Sequence, residues 1–245
     1  MAGDALDLIQ TQAIARSMSA GSTLIDEGSA CSTLYLLLDG WAFRYATTAD
    51  GSRQILAVLL PGDFCNLDSL SLSRPDYGIR TITPAKFLAV ERSRAIELSQ
   101  SSSEVAQLFL SRMAIENALL GRWTLCLGRK SAMARLAHLL CELVARLDGA
   151  RDGDAVQLDL PLRQEQIADI LGLTTVHVNR TIRHLCSLGV IERRGSRIDI
   201  PCVTKLLRVA EFDESYLHRS ERTRSWLLGR NSDAGSPFSG RELCS

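Results

Sequence analysis

The segment from Gln164 to Ile200, QEQIADILGLTTVHVNRTIRHLCSLGVIERRGSRIDI, leaves a chain few ways to fold. Its apolar spacing predicts two short helices, Arg163 to Leu171 and Thr175 to about Cys186, whose inner faces meet through Ile167, Leu171, Val178, Ile182 and Leu185. Ala168 is small where the second helix crosses the first, and Gly172 supplies the positive φ that ends the first. Thr174 caps the second, its hydroxyl accepting from an N–H of the first turn. This is a helix-turn-helix. Val190-Ile191 and Ile198 to Ile200 flank Arg193-Arg194-Gly195-Ser196-Arg197, which reads as a hairpin with a basic tip, a wing.

The outward positions of the second helix are Thr175, Val176, His177, Asn179, Arg180 and Arg183. Such side chains reach base edges and phosphates when a helix lies in a major groove, arginine suiting guanine and asparagine adenine. Between Thr174 and Arg197 five arginines face one acid, Glu192. The whole chain has 28 Lys+Arg and 28 Asp+Glu, so this +4 segment stands out from a neutral protein and is more than a solvated charged face. The DNA-contact candidates are Thr174, Thr175, Val176, His177, Asn179, Arg180, Arg183, Arg194 and Arg197.

Upstream, Gly28, Gly40, Gly51 and Gly62 punctuate β-rich runs at regular intervals: Leu34 to Leu38, Trp41 to Tyr45 and Gln54 to Leu60, followed by Ile79 to Ile82 and Lys86 to Val90. That spacing predicts an antiparallel sandwich or roll, with Asp50-Gly51 as a type I′ hairpin turn. Near Ser101 the period becomes helical, with N-caps at Ser101 to Ser103 and Glu104 placed for the helix dipole. The long helix that follows, interrupted at Gly128, carries two apolar stripes: Val105, Leu108, Ile115, Leu119 and Cys126, and Phe109, Met113, Leu120, Trp123 and Leu127. Burying both predicts one stripe on the roll and the other on a second subunit, with Leu108, Ile115, Leu119 and Trp123 as the dimerisation candidates. A further amphipathic helix runs from about Ser131 to Leu147, and the polar stretch Asp148 to Asp154 reads as a loop. The fold class is therefore α+β: a roll over 1–100, a dimerisation helix over 101–128, a winged helix-turn-helix over 129–218, and a Ser- and Gly-rich tail over 219–245 that reads as disordered.

At 245 residues, 46% hydrophobic and 23% charged, the composition is that of a globular protein of two domains. Apolar runs such as Ile55 to Leu60 are too short to span a bilayer, and Asp4 and Asp7 stand where a secretory signal needs positive charge, so the expected location is the cytoplasm. Seven cysteines, with no CxxC and no zinc-ligand spacing, read as reduced thiols. His138 and Cys141 share a helix face without making a metal site. Cys186, at the end of the second helix and within reach of Arg183, is a candidate oxidation-sensitive residue, set against a plainer reading as a small apolar residue packed beneath the wing. No Ser/His/Asp grouping or phosphate-cradling glycine loop suggests an enzyme.

The order β-roll, long helix, winged helix-turn-helix, with LYLLLDGWAFRY (34–45), DGSRQILAVLLPGDF (50–64) and LGLTTVHVNRTI (171–182), resembles the CRP/FNR family of bacterial transcription regulators, and its wording is closest to the FixK-like branch. The resemblance spans about residues 20–218. It implies a homodimer joined by the long helices, double-stranded DNA and RNA polymerase as partners, and an effector or redox input in the roll. It also implies that Arg180 takes the guanine of a TGA-type half-site, while Val176 replaces a Glu that reads the opposing cytosine. Departures argue against the family's cofactors. Leu67 and Pro75 stand at the positions matching the ribose-binding Glu and phosphate-binding Arg of cyclic-nucleotide members, although Arg74 is adjacent. Cys31 alone precedes Cys65, where iron–sulfur members carry a cluster of cysteines, and no His precedes His138 to ligate haem. No cofactor is expected. The competing reading is a ligand-gated sensor whose roll binds a small molecule and conditions DNA binding.

Overall fold

The computed structural model describes residues 2–147 and 155–218, so the expected loop over 148–154 and tail over 219–245 lie outside the described residues. The chain starts with α1 (Ala2–Thr11), then β1 (Ile14–Met18), β2 (Thr23–Ile25), β3 (Thr33–Asp39), β4 (Ala42–Thr47), β5 (Arg53–Leu59), β6 (Gly78–Thr81) and β7 (Ala85–Glu91). Helices α2 (Arg92–Ser101), α3 (Ser103–Arg129) and α4 (Ala132–Arg146) follow, then β8 (Val156–Asp159), α5 (Gln164–Leu171), α6 (Thr175–Ser187), β9 (Glu192–Arg194), β10 (Arg197–Ile200) and α7 (Val203–Ala210). No described helix is long and apolar enough to cross a membrane.

The roll stacks an antiparallel sheet of order β1-β7-β3 on one of order β2-β6-β4-β5. β3 is buried on both faces, and its period of two divides the cores. Tyr35 and Leu37 meet Ile25, Ile79 and Phe87 between the sheets, while Leu34 and Leu36 meet Leu6, Ile9, Val105 and Phe109 of the covering helices. Gly40 must remain glycine, because φ is +83° and a Cβ would collide with the Pro84 carbonyl.

The turn at Asp50-Gly51, the end of α3 and the presence of α1 all depart from the sequence reading. The hairpin at Asp50-Gly51 is not type I′: only Gly51 has positive φ, and the Gly51 N–H donates to the Thr48 carbonyl at 2.9 Å, so a type I turn ends in a left-handed glycine. The Asp50 carboxylate accepts from the Ser52 N–H at 3.1 Å and holds this longer loop. α3 runs through Gly128 to Arg129, and the chain turns at extended Lys130 before Ser131 caps α4. α1, unread in the sequence, packs Ala5, Leu6 and Ile9 onto the roll core.

α4 is the hub between roll and helix-turn-helix. One apolar cluster runs from Phe43, Ile55 and Val58 of the roll through Leu136, Leu140 and Leu143 to Leu171 and Ile182. A buried polar chain parallels it. Arg146 pairs with Asp63 of the roll and reaches Glu142 at 3.3 Å, and Glu142 Oε2 accepts from Trp123 Nε1 at 3.1 Å and Tyr216 Oη at 2.9 Å. His138 Nε2 lies 3.1 Å from the same Tyr216 oxygen, and its Nδ1 lies 3.2 Å from Lys130 Nζ. Because the tyrosine hydroxyl donates to Glu142, His138 must donate from Nε2, leaving Nδ1 as acceptor for the ammonium. Burial, then the Lys130 and Arg122 charges, hold the His138 imidazole down to about 3.

The linkage has a definite sign. Below pH 6.5 the unfolded chain protonates this imidazole and the folded chain does not, so stability falls as pH drops from 6.5 towards 3. Burial pushes the Glu142 carboxyl up, which works in the opposite direction. The His138 part is isolated by comparing wild type with His138→Gln in urea unfolding at pH 7.5 and pH 5. Wild type should lose about 2 kcal/mol more than the variant over that interval; parallel losses would mean that His138 titrates alike in both states.

Candidate nucleic-acid interface

α5 and α6 are placed by their ends. The Arg163 N–H donates to Gln166 Oε1 at 2.8 Å ahead of α5, Gly172 ends α5 at φ +61°, and Thr174 Oγ1 accepts from the His177 N–H at 3.2 Å to start α6. Ile167, Leu171, Val178, Ile182 and Leu185 are all buried, as their spacing predicts. Arg135 donates to the Leu171 carbonyl at 2.9 Å, tying the turn to α4. From the roll, Arg53 Nε reaches Asp169 at 2.8 Å and Gln54 reaches the Ile170 carbonyl at 3.2 Å.

The opposite face of α6 is open. Thr174, Thr175, Arg180 and Arg183 are exposed, Val176 is 77% exposed, and His177 and Asn179 are half-buried. Among the described residues neither Arg180 nor Arg183 has an ion-pair or hydrogen-bond partner. Two cations and an exposed apolar side chain on one helix face are complementary to a phosphate-walled groove containing base edges. Asn179 is engaged from within: its Nδ2 donates to Gln164 Oε1 at 2.6 Å and to the Thr175 carbonyl at 3.1 Å.

The wing forms as β9 and β10 around Gly195, with β8 as a third strand whose Val156 and Leu158 face inward. Its charge is partly neutralised at home. Arg194 lies 3.3 Å from Glu192 and 3.5 Å from Asp199, and Arg197 lies 2.9 Å from Asp199. Asp199 sits beyond the basic run counted in the sequence, and Gln164 sits on the other helix, so neither stands out from spacing. Cys186 is half-buried and packs against the central apolar cluster.

α3 corrects part of the dimerisation set. Leu108 is buried in the roll core with Phe64 and Phe109, so it has no surface left for another subunit. Ile115, Leu119 and Trp123 are half-buried on the same side, lining a crevice against Leu56 and Val58 of β5. The face turned outward carries Leu110, Met113, Asn117, Leu120 and Thr124.

The roll interior does not fit a cyclic nucleotide. Leu67 is buried and apolar, and buried Pro75 has neither charge nor N–H. The buried cation there, Arg44, pairs with Glu116 of α3, donates to the Cys65 carbonyl at 2.7 Å and lies 4.4 Å over the Tyr77 ring, with its Nε unpartnered among the described residues. A phosphate would have to displace Glu116. Among the described residues no group of three ligands could hold a metal.

Residues 134–209 match the Crp-like helix-turn-helix domain, and residues 15–102 match the cyclic nucleotide-binding domain. The chain is 33% identical over 205 residues to the transcriptional activator protein FnrL of Cereibacter sphaeroides, covering 80% of this chain and 79% of that one. It is 32% identical over 199 residues to the nitrogen fixation regulation protein FixK of Bradyrhizobium diazoefficiens, covering 77% and 79%. Among solved structures, FixK2 from Bradyrhizobium japonicum superposes with a TM-score of 0.74 at 28% identity, over 80% of this chain and 96% of that one.

Proposed function

Since the chain belongs to the CRP/FNR family of transcription regulators, we propose that it acts as a homodimer on a palindromic operator, with one α6 entering the major groove of each half-site. It is a DNA-binding regulator and not an enzyme. The observation that carries the operator reading is the α6 face, where exposed Val176, Arg180 and Arg183 follow one another and neither arginine has an ion-pair or hydrogen-bond partner among the described residues. Arg180 takes a guanine and Val176 packs on a thymine methyl. Thr174, Thr175, His177, Arg183 and the wing residues Arg194 and Arg197 meet phosphates, fixing register rather than sequence. RNA polymerase is the proposed partner of the bound dimer, as the family resemblance implies.

The dimer reading rests on α3. Leu110, Met113, Asn117, Leu120, Thr124 and Leu127 alternate in steps of three and four, the spacing of a two-helix seam. Leu110 is 67% exposed in the protomer. Asn117 falls inside this seam, where a polar residue fixes the register of two parallel helices.

Binding-site selection from random duplex DNA tests the reading. The purified protein should enrich two inverted half-sites about one helical turn apart, roughly 34–36 Å; recovery of unrelated sequences with no shared element would refute it.

A further inference from the structure

Resting on the placement of α6 in the major groove, we infer that Gln164 is a positioning residue that decides which bases Asn179 can read. Gln164 is the first residue of α5, and Asn179 lies on the second turn of α6. The two meet across the helix-turn-helix, Asn179 Nδ2 to Gln164 Oε1, at 2.6 Å. The orientation of the Asn179 amide is settled by its second bond, because the Thr175 backbone carbonyl at 3.1 Å accepts only, so the atom facing it must be the NH2 group. Both Nδ2 hydrogens are therefore directed into the protein. Oδ1 has no hydrogen bond among the described residues.

This state of Asn179 differs from the one that reads adenine. The bidentate contact needs Nδ2–H for adenine N7 and Oδ1 for the N6 amine together. With the donor spent, Asn179 offers one acceptor. A lone acceptor pairs with an exocyclic amine, N6 of adenine or N4 of cytosine, and is repelled by the oxygens of guanine and thymine. The operator position facing Asn179 is thus read as amine-bearing, with adenine and cytosine nearly equivalent. Gln164 keeps it so by holding one hydrogen, and a free Asn179 amide would turn to adenine.

Binding-site selection with wild type, Asn179→Ala, Gln164→Ala and Gln164→Glu tests this. The position whose preference disappears in Asn179→Ala is the one Asn179 reads. Wild type should accept adenine and cytosine there within about threefold, and Gln164→Ala should favour adenine by about tenfold. Gln164→Glu keeps an acceptor, so its base profile should match wild type while its added negative charge weakens all sequences alike. A purely structural contact would lower affinity without moving the preference at one position. Wild-type selection of adenine alone, an unchanged profile in Gln164→Ala, or no altered position in Asn179→Ala would each overturn the inference. Absence of any palindromic site for wild type would instead refute the placement of α6 itself.

Discussion

The double substitution Leu110→Glu/Met113→Glu is expected to yield a folded monomer that has lost operator affinity by about 100-fold or more. Both side chains are exposed in the protomer, at 67% and 41%, so charge there costs the isolated fold little. In the proposed dimer they occupy successive seam positions, where four carboxylates would be drawn together in an apolar strip. Loss of pairing removes the effective concentration that one half-site contact confers on the other, an advantage of about 10²–10⁴ for linked sites. Light scattering should report half the wild-type mass with an unchanged circular dichroism spectrum. The same change at Leu108 would unfold the roll core instead, because that residue is buried beside Phe64 and Phe109. Retention of dimer mass by the double variant would place the interface elsewhere.

Arg180→Ala is expected to lower operator affinity by about 5–150-fold, equivalent to about 1–3 kcal/mol, and to erase the preference for guanine at one position per half-site. The residue is exposed on α6 and has no partner within the described structure, so its removal leaves the fold intact. His177→Ala should behave differently, weakening every sequence alike and flattening the salt dependence, as expected of a phosphate contact. Equal loss on all duplexes for Arg180→Ala would show that it, too, meets only the backbone.

The parts of the molecule that were legible beforehand are those whose local chemistry admits one solution. Gly172 and Thr174 bracket the turn between α5 and α6, and five inward apolar residues agree with it. The long strands of the roll were equally plain, because β3 and β7 present apolar residues to two cores. What escaped depends on partners distant in sequence. β8 shows alternation in only four residues, Val156 to Asp159, and becomes a strand because β10 offers it a ladder. α2 buries only Ala95 and so lacks a stripe to read. Asp50-Gly51 announces a turn without revealing whether two or three residues close it.

On α3 the two apolar stripes were visible, yet nothing local says that the roll covers the start of both, Leu108 of one and Phe109 of the other. Phe64 and Val105 draw Leu108 inward, and that rotation turns Leu110 and Met113 outward. At the proposed interface, residue types pointed to one face of α6, but not to the condition of each group on it. Asn179 is on the expected helix with its donor already used by Gln164, and Arg194 and Arg197 are on the expected wing with Asp199 between them. A basic count predicts attraction to DNA; it does not show which cations remain unpaired.

The most direct test of the central claim is the affinity of wild-type protein for its selected palindrome against the same duplex with about five base pairs inserted between the half-sites, about half a helical turn. Two α6 helices held rigidly by paired α3 helices cannot follow half-sites moved to opposite faces of the duplex, so affinity should fall to that of a single half-site. Unchanged affinity after the insertion would contradict the account.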